Sequence, residues 1–82
     1  MCWYVYIIYS DQHSRYYTGM TANLDRRISE HNQGKNRSTR MYVPWRIIHF
    51  EEYVTRIEAR SREKYFKSAA GRKWRKKNLI IE

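Results

Sequence analysis

Trp3-Tyr4-Val5-Tyr6-Ile7-Ile8-Tyr9-Ser10, with Tyr16-Tyr17-Thr18-Gly19 close behind it, is the stretch that decides how this chain folds. Its β-branched and aromatic residues suit a pleated surface, and Trp3, Val5, Ile7 and Tyr9 alternate with Tyr4, Tyr6, Ile8 and Ser10. Both phases carry apolar side chains, so the strand they predict is partly covered on both faces. Asp11 to Ser14 is polar and turn-prone, and strand chemistry resumes until Gly19. Residues 3 to 19 therefore read as a hairpin with a longer loop.

Beyond the hairpin the period changes. Leu24, Ile28 and His31 share one stripe, which predicts a helix from about residue 23 to 32, capped by Thr21 or Asn23 and ended near Gly34. Lys35 to Tyr42 has no periodicity and reads as a basic loop. Pro44 permits a strand start, and Trp45, Ile47 and His49 alternate with Arg46, Ile48 and Phe50 in a third strand ending near Tyr53. Thr55 with Glu58 is a capping box that opens a second helix over about 56 to 69. Gly71 interrupts the pattern, and Arg72 to Asn78 form a short basic helix carrying Trp74, before the apolar tail Leu79, Ile80, Ile81. The order β-β-α-β-α-α predicts an α/β (α+β) fold, a small three-stranded antiparallel sheet flanked by helices.

The 82 residues allow a single domain, 1–82, with a thin stability margin. Seventeen Lys and Arg against eight Asp and Glu leave a formal charge of +9, which attracts polyanions. Tyr and Trp interleaved with the basic residues favour nucleic acid over a membrane surface. The lone Cys2 and the absence of a long apolar run lead us to expect a reduced, cytoplasmic protein, and Met1 running straight into an apolar segment leads us to expect no signal peptide.

Several polar residues fall where the periodicity points inward. Arg27 and His31 lean toward the buried stripe of the first helix, where the plain explanation is an Arg packing its stem and a His near a helix C-terminus. Ala59, Glu63 and Phe66 put a carboxylate in line with core-facing residues of the second helix. That carboxylate is either ion-paired with Arg60, Lys64 or Lys67 or a metal ligand or acid/base group. Tyr6 and Tyr17 sit on paired strands, where aromatic pairs usually mean packing.

Taken together, these pieces resemble the GIY-YIG nuclease family, in particular its short single-domain bacterial members, which are similar to the N-terminal domain of an excinuclease. The first motif corresponds to Tyr4-Val5-Tyr6 and the second to Tyr17-Thr18-Gly19. Thr21-Ala22-Asn23-Leu24-Asp25-Arg26-Arg27 and Glu30-His31-Asn32 follow. Pro44-Trp45, Glu58-Ala59, Arg62-Glu63-Lys64, Lys67 and Gly71-Arg72-Lys73-Trp74 complete the set. Tyr4 stands where the first motif has its glycine, and Thr18 where the second has Ile. The resemblance implies a metal-dependent endonuclease hydrolysing phosphodiester bonds, with DNA of the repair or recombination type as the expected substrate. It implies an active site of Tyr6, Tyr17, Arg27, His31 and Glu63, with Glu63 holding one Mg²⁺ or Mn²⁺. Lys35, Arg37, Arg40, Arg72, Lys73, Arg75, Lys76 and Lys77 are the expected nucleic-acid contacts. Two alternatives are a nucleic-acid-binding module on the same fold without useful turnover, and a protein interaction domain using Tyr42, Trp45 and Trp74 as exposed anchors.

Overall fold

The computed structural model describes residues 2–79. Strands β1 (Trp3–Ser10), β2 (Arg15–Thr21) and β3 (Arg46–Tyr53) form one antiparallel sheet in the order β2-β1-β3. Helix α1 (Leu24–Asn32) follows the hairpin, and α2 (Arg56–Lys67) and α3 (Ala69–Asn78) follow β3. The β-β-α-β-α-α order expected from the sequence is the order observed.

The central position of β1 explains its composition. Val5, Tyr6, Ile7 and Ile8 are all almost fully buried because each face of the strand meets a layer of its own. Val5 and Ile7 pack with Ala59 and Phe66 of α2, joined at the margin by Trp74 and Leu79. Tyr6 and Ile8 pack with Trp45, and with Leu24 and Ile28 of α1 at the margin. Helix α1 therefore covers one face of the sheet, and α2 with α3 covers the other.

The helix ends follow local chemistry. The Asn23 side chain accepts from the Arg26 N–H and caps α1. At the far end Gly34, at φ 78, lets its N–H reach the His31 carbonyl while the Lys35 N–H reaches that of Glu30, a Schellman closure. Thr55 and Glu58 form the expected capping box at the start of α2.

Three expectations need correction. The alternation of the third strand is broken: Ile7 pairs with His49 but Ile8 pairs with Ile47, so Ile48 is the extra residue of a β-bulge. Ile47 joins the α1 face, whereas Ile48 and His49 both turn toward α2 and α3. Gly71 does not interrupt a helix. Helix α3 begins at Ala69, capped by Ser68, which also ends α2, and a Cβ at Gly71 would run into the Tyr65 carbonyl oxygen and the Phe66 backbone. The glycine is there because two helices cross closely. The basic loop, finally, is folded: it contains a 3₁₀ turn at Arg40–Tyr42 and a fully buried Thr39. Ile80 and Ile81 of the apolar tail lie outside the described residues.

Candidate active site

Sheet register puts two phenols on the α1 face. Tyr6 pairs with Gly19, and Tyr17, two residues before Gly19, lies on the same face of β2. The Tyr6 ring lies across Gly19, where a Cβ would come within 2.5 Å of the phenol oxygen. The glycine of the second motif thus makes room for the tyrosine of the first.

His31, on the inward stripe of α1, meets both phenols. Its Nε2 is 2.8 Å from the Tyr6 Oη, and its ring centroid is 5.1 Å from that of Tyr17. Its Nδ1 is 2.7 Å from Thr39 Oγ1, and the Thr39 hydroxyl in turn donates to the Asn36 carbonyl. Burial and the neighbouring Arg27 push the imidazole down to about 4, so it is neutral at pH 7. A neutral ring has one donor and one acceptor nitrogen. The arrangement that satisfies all four groups runs in one direction: Tyr6 O–H donates to Nε2, Nδ1–H to Thr39, and Thr39 to the main chain. Thr39 was missed by sequence reasoning, since it sits in a segment without periodicity.

Arg27 lies one turn before His31, half-buried, with its guanidinium 3.2 Å from Glu30. It is close enough to the Tyr6 hydroxyl to favour the ionised phenol, but burial dominates and Tyr6 is pushed up to about 12. In the resting protein the phenol is therefore protonated.

Glu63 comes from the other layer. It faces the sheet from α2 with 6% of its surface exposed, and its carboxylate is held by Arg60 at 2.7 Å and Lys67 at 3.4 Å. Of the partners expected from the sequence, Arg60 and Lys67 are used; no ion pair to Lys64 occurs among the described residues. Tyr6, Tyr17, Arg27 and His31 gather on the α1 face, while Glu63 lies on the α2 face and its charge adds to the upward push on Tyr6.

Among the basic residues, Lys35, Arg37, Arg40, Arg72, Lys73, Lys76 and Lys77 are exposed or partly so. Arg75 is half-buried, its guanidinium stacked 3.7 Å over the Tyr16 ring. The aromatics suggested as exposed anchors are not exposed. Trp45 is 5% exposed and donates its indole N–H to the Thr39 carbonyl; Tyr42 and Trp74 are half-buried, packed against Trp45 and Phe66.

This small three-stranded domain thus sets a phenol, an imidazole and a guanidinium side by side on its central strand and first helix. The chain belongs to the GIY-YIG family, whose catalytic domain matches residues 2–78. It is 44% identical over 66 residues to a UPF0213 protein of Haloquadratum walsbyi, covering 79% of this chain and 73% of that one. It is 35% identical over 80 residues to a UPF0213 protein of Listeria welshimeri, covering 96% and 86%. The solution structure of a UPF0213 protein from Bacillus halodurans is similar at a TM-score of 0.55 and 32% identity, over 90% of this chain and 81% of that one. Among the described residues, no helix is long and apolar enough to cross a membrane.

Proposed function

We propose that residues 1–82 act as one metal-dependent endonuclease domain, with DNA as the preferred substrate over RNA. The observation that carries the reading is the hydrogen bond from the Tyr6 phenol to a neutral, buried imidazole, beside an arginine, on a chain of this family.

Hydrolysis needs a proton acceptor for the attacking water and a site for the charge that grows on the phosphate. In this reading Tyr6 takes the proton from water as its own proton passes to His31 Nε2, and Thr39 holds the ring so that Nε2 faces the phenol. Arg27, permanently charged and able to give parallel N–H bonds, binds the scissile phosphate in place of Glu30. Tyr17, less deeply buried than Tyr6, orients the phosphate or the water.

The donor set suits a water-rich cation. Glu63 is the one carboxylate this reading offers, and Mg²⁺ or Mn²⁺ can bind through one carboxylate with water filling the remaining positions. Glu63 would hold it once Arg60 and Lys67, both more than half exposed, swing aside. Such an ion supplies Lewis-acid stabilisation to a phosphate oxygen and to the leaving oxygen. Glu63 and the phenols lie on opposite faces of the sheet, so in this reading one phosphate would reach both around the open edge of β2, where Tyr17 and Lys67, the partner of Glu63, line one cleft.

One observation favours a second reading, a nucleic-acid-binding module without turnover: the Glu63 carboxylate is already neutralised by two cations. Cleavage of labelled single-stranded, duplex and branched DNA, and of RNA, with Mg²⁺ or Mn²⁺ and with excess chelator, separates the two. We expect metal-dependent products from the intact chain and none from Arg27→Ala or Glu63→Gln, with melting nearly unchanged. Salt-sensitive binding with no products after long incubation would establish the binding module, and cleavage that persists in chelator would remove the metal.

A further inference from the structure

The edge strand β2 carries a second feature, on the side away from α1. Between β2 and the α2–α3 corner lies an open cleft of about 520 Å³, lined by Arg15, Tyr16, Tyr17, Lys67, Arg72 and Arg75 among others. Among the described residues, no acidic side chain lines it. Arg15, Arg72 and Arg75 enter no ion pair among the described residues, and Arg72 lies near enough to Arg75 to disfavour its charge. The Arg75 Nε is buried without a hydrogen-bond partner among the described residues, while its guanidinium plane rests on Tyr16. Packing fixes that guanidinium, so little rotamer freedom is lost when it binds an anion. Like charges held together without a counter-charge raise the affinity of the space between them for a negative group.

Two of the lining residues connect the cleft to the candidate active site. Tyr17 belongs to both, and Lys67, on the cleft wall, reaches Glu63. We propose that this cleft is a subsite for a backbone phosphate of the bound strand flanking the scissile bond, held by Arg72 and Arg75 with Lys67 at its side; the Arg15 guanidinium is stacked on Tyr42 toward the α1 face and lies apart from it. The word scissile rests on the nuclease reading above; the binding of a backbone phosphate does not. The subsite gives a role to Lys67, and it singles out Arg72 and Arg75 from the basic residues of α3.

The test is a salt titration of binding. The full chain, in chelator so that the strand stays intact, is mixed with a fluorescein-labelled single-stranded decanucleotide, and affinity is followed by anisotropy from low to moderate salt. R72Q/R75Q should weaken binding at least tenfold and flatten the log–log salt slope by about 0.7 for each phosphate contact removed. R56Q/K64Q removes the same charge from exposed positions of α2 outside the cleft and should change affinity less than threefold. Since the Arg75 change also removes packing on Tyr16, R72Q alone, which leaves that packing in place, serves as a second probe and should reproduce part of the loss. Equal losses in the two double variants, or an unchanged slope in R72Q/R75Q, would overturn the subsite in favour of a diffuse basic surface. Competition by millimolar inorganic phosphate that abolishes the difference between the double variants, with strand length having no effect, would assign the cleft to free phosphate and also overturn it. Cleavage assays on the same variants keep the two proposals apart. A wild-type chain that never cleaves but retains the binding difference removes the nuclease reading and leaves the subsite; cleavage without the binding difference does the reverse.

Discussion

At the scale of single residues, the Tyr6–His31–Thr39 chain makes the most exacting demands. Removing the Tyr6 hydroxyl leaves a buried imidazole nitrogen without a partner, at a cost of about 1–3 kcal/mol, so Tyr6→Phe should lose cleavage and also melt lower. Thr39→Val keeps the shape and removes the oxygen that orients the ring. We expect a loss in kcat of roughly 10 to 100-fold with little change in nucleic-acid affinity, and an unaltered kcat would show that the ring needs no such support. The same ring makes stability depend on pH. Its folded value of about 4 lies below that of an unfolded histidine, 6.5, so as pH falls the unfolded chain takes up the proton first. Stability from this group is intact above pH 6.5 and declines toward pH 4, by about 3 kcal/mol in full. Denaturant melts of wild type against His31→Gln across that window should show the slope in the first and its loss in the second. Glu51 acts at lower pH. Burial raises its carboxyl, but hydrogen bonds from Arg62, His49 and Tyr53 outweigh this and bring it to about 2, so its contribution is lost as pH falls from 4.5 toward 2.

At the scale of elements, two glycines test how closely pieces of the fold approach. Gly71→Ala sets a methyl group against the α2 backbone, which has no flexible end to yield, and should destabilise the chain by about 1–3 kcal/mol. Gly19→Ala presses instead on the Tyr6 phenol, a side chain, so its main effect should be on cleavage. Thermal melting with cleavage assays on both variants measures the contrast. The elements also show what could be read in advance. The hairpin, the α1 stripe and the capping box were legible because each depends on neighbours within a few residues. The Ile48 bulge was not, since the local alternation is unbroken and only pairing with β1 shows the extra residue. Gly71 looked like an interruption because its reason lies in Tyr65 and Phe66 as they cross it. Of the site, Arg27, His31 and Glu63 stood out as polar groups on inward stripes, and Tyr6 and Tyr17 were picked out by the motif resemblance alone. Thr39 gave no signal, since its partner His31 is reached by the path of a loop rather than by a periodic face.

At the scale of the whole molecule, the formal charge of +9 on 82 residues predicts that affinity for any polynucleotide falls steeply with salt. The loop residues Lys35, Arg37 and Arg40 and the exposed face of α3 should contribute without preference for sequence, since phosphate contacts position a strand rather than read it. A triple Lys35, Arg37, Arg40→Gln variant should therefore weaken binding to different sequences by similar factors, as parallel titrations would measure. The order of the strands carries a further consequence. A three-stranded sheet has two open margins where another chain can add its own main-chain hydrogen bonds. With β2 on one margin and the functional groups wrapped around it, a strand docked there would shut the substrate out. Under the proposed reading, growth of this domain by an inserted strand, or its pairing with a second chain, would be compatible with cleavage only along β3.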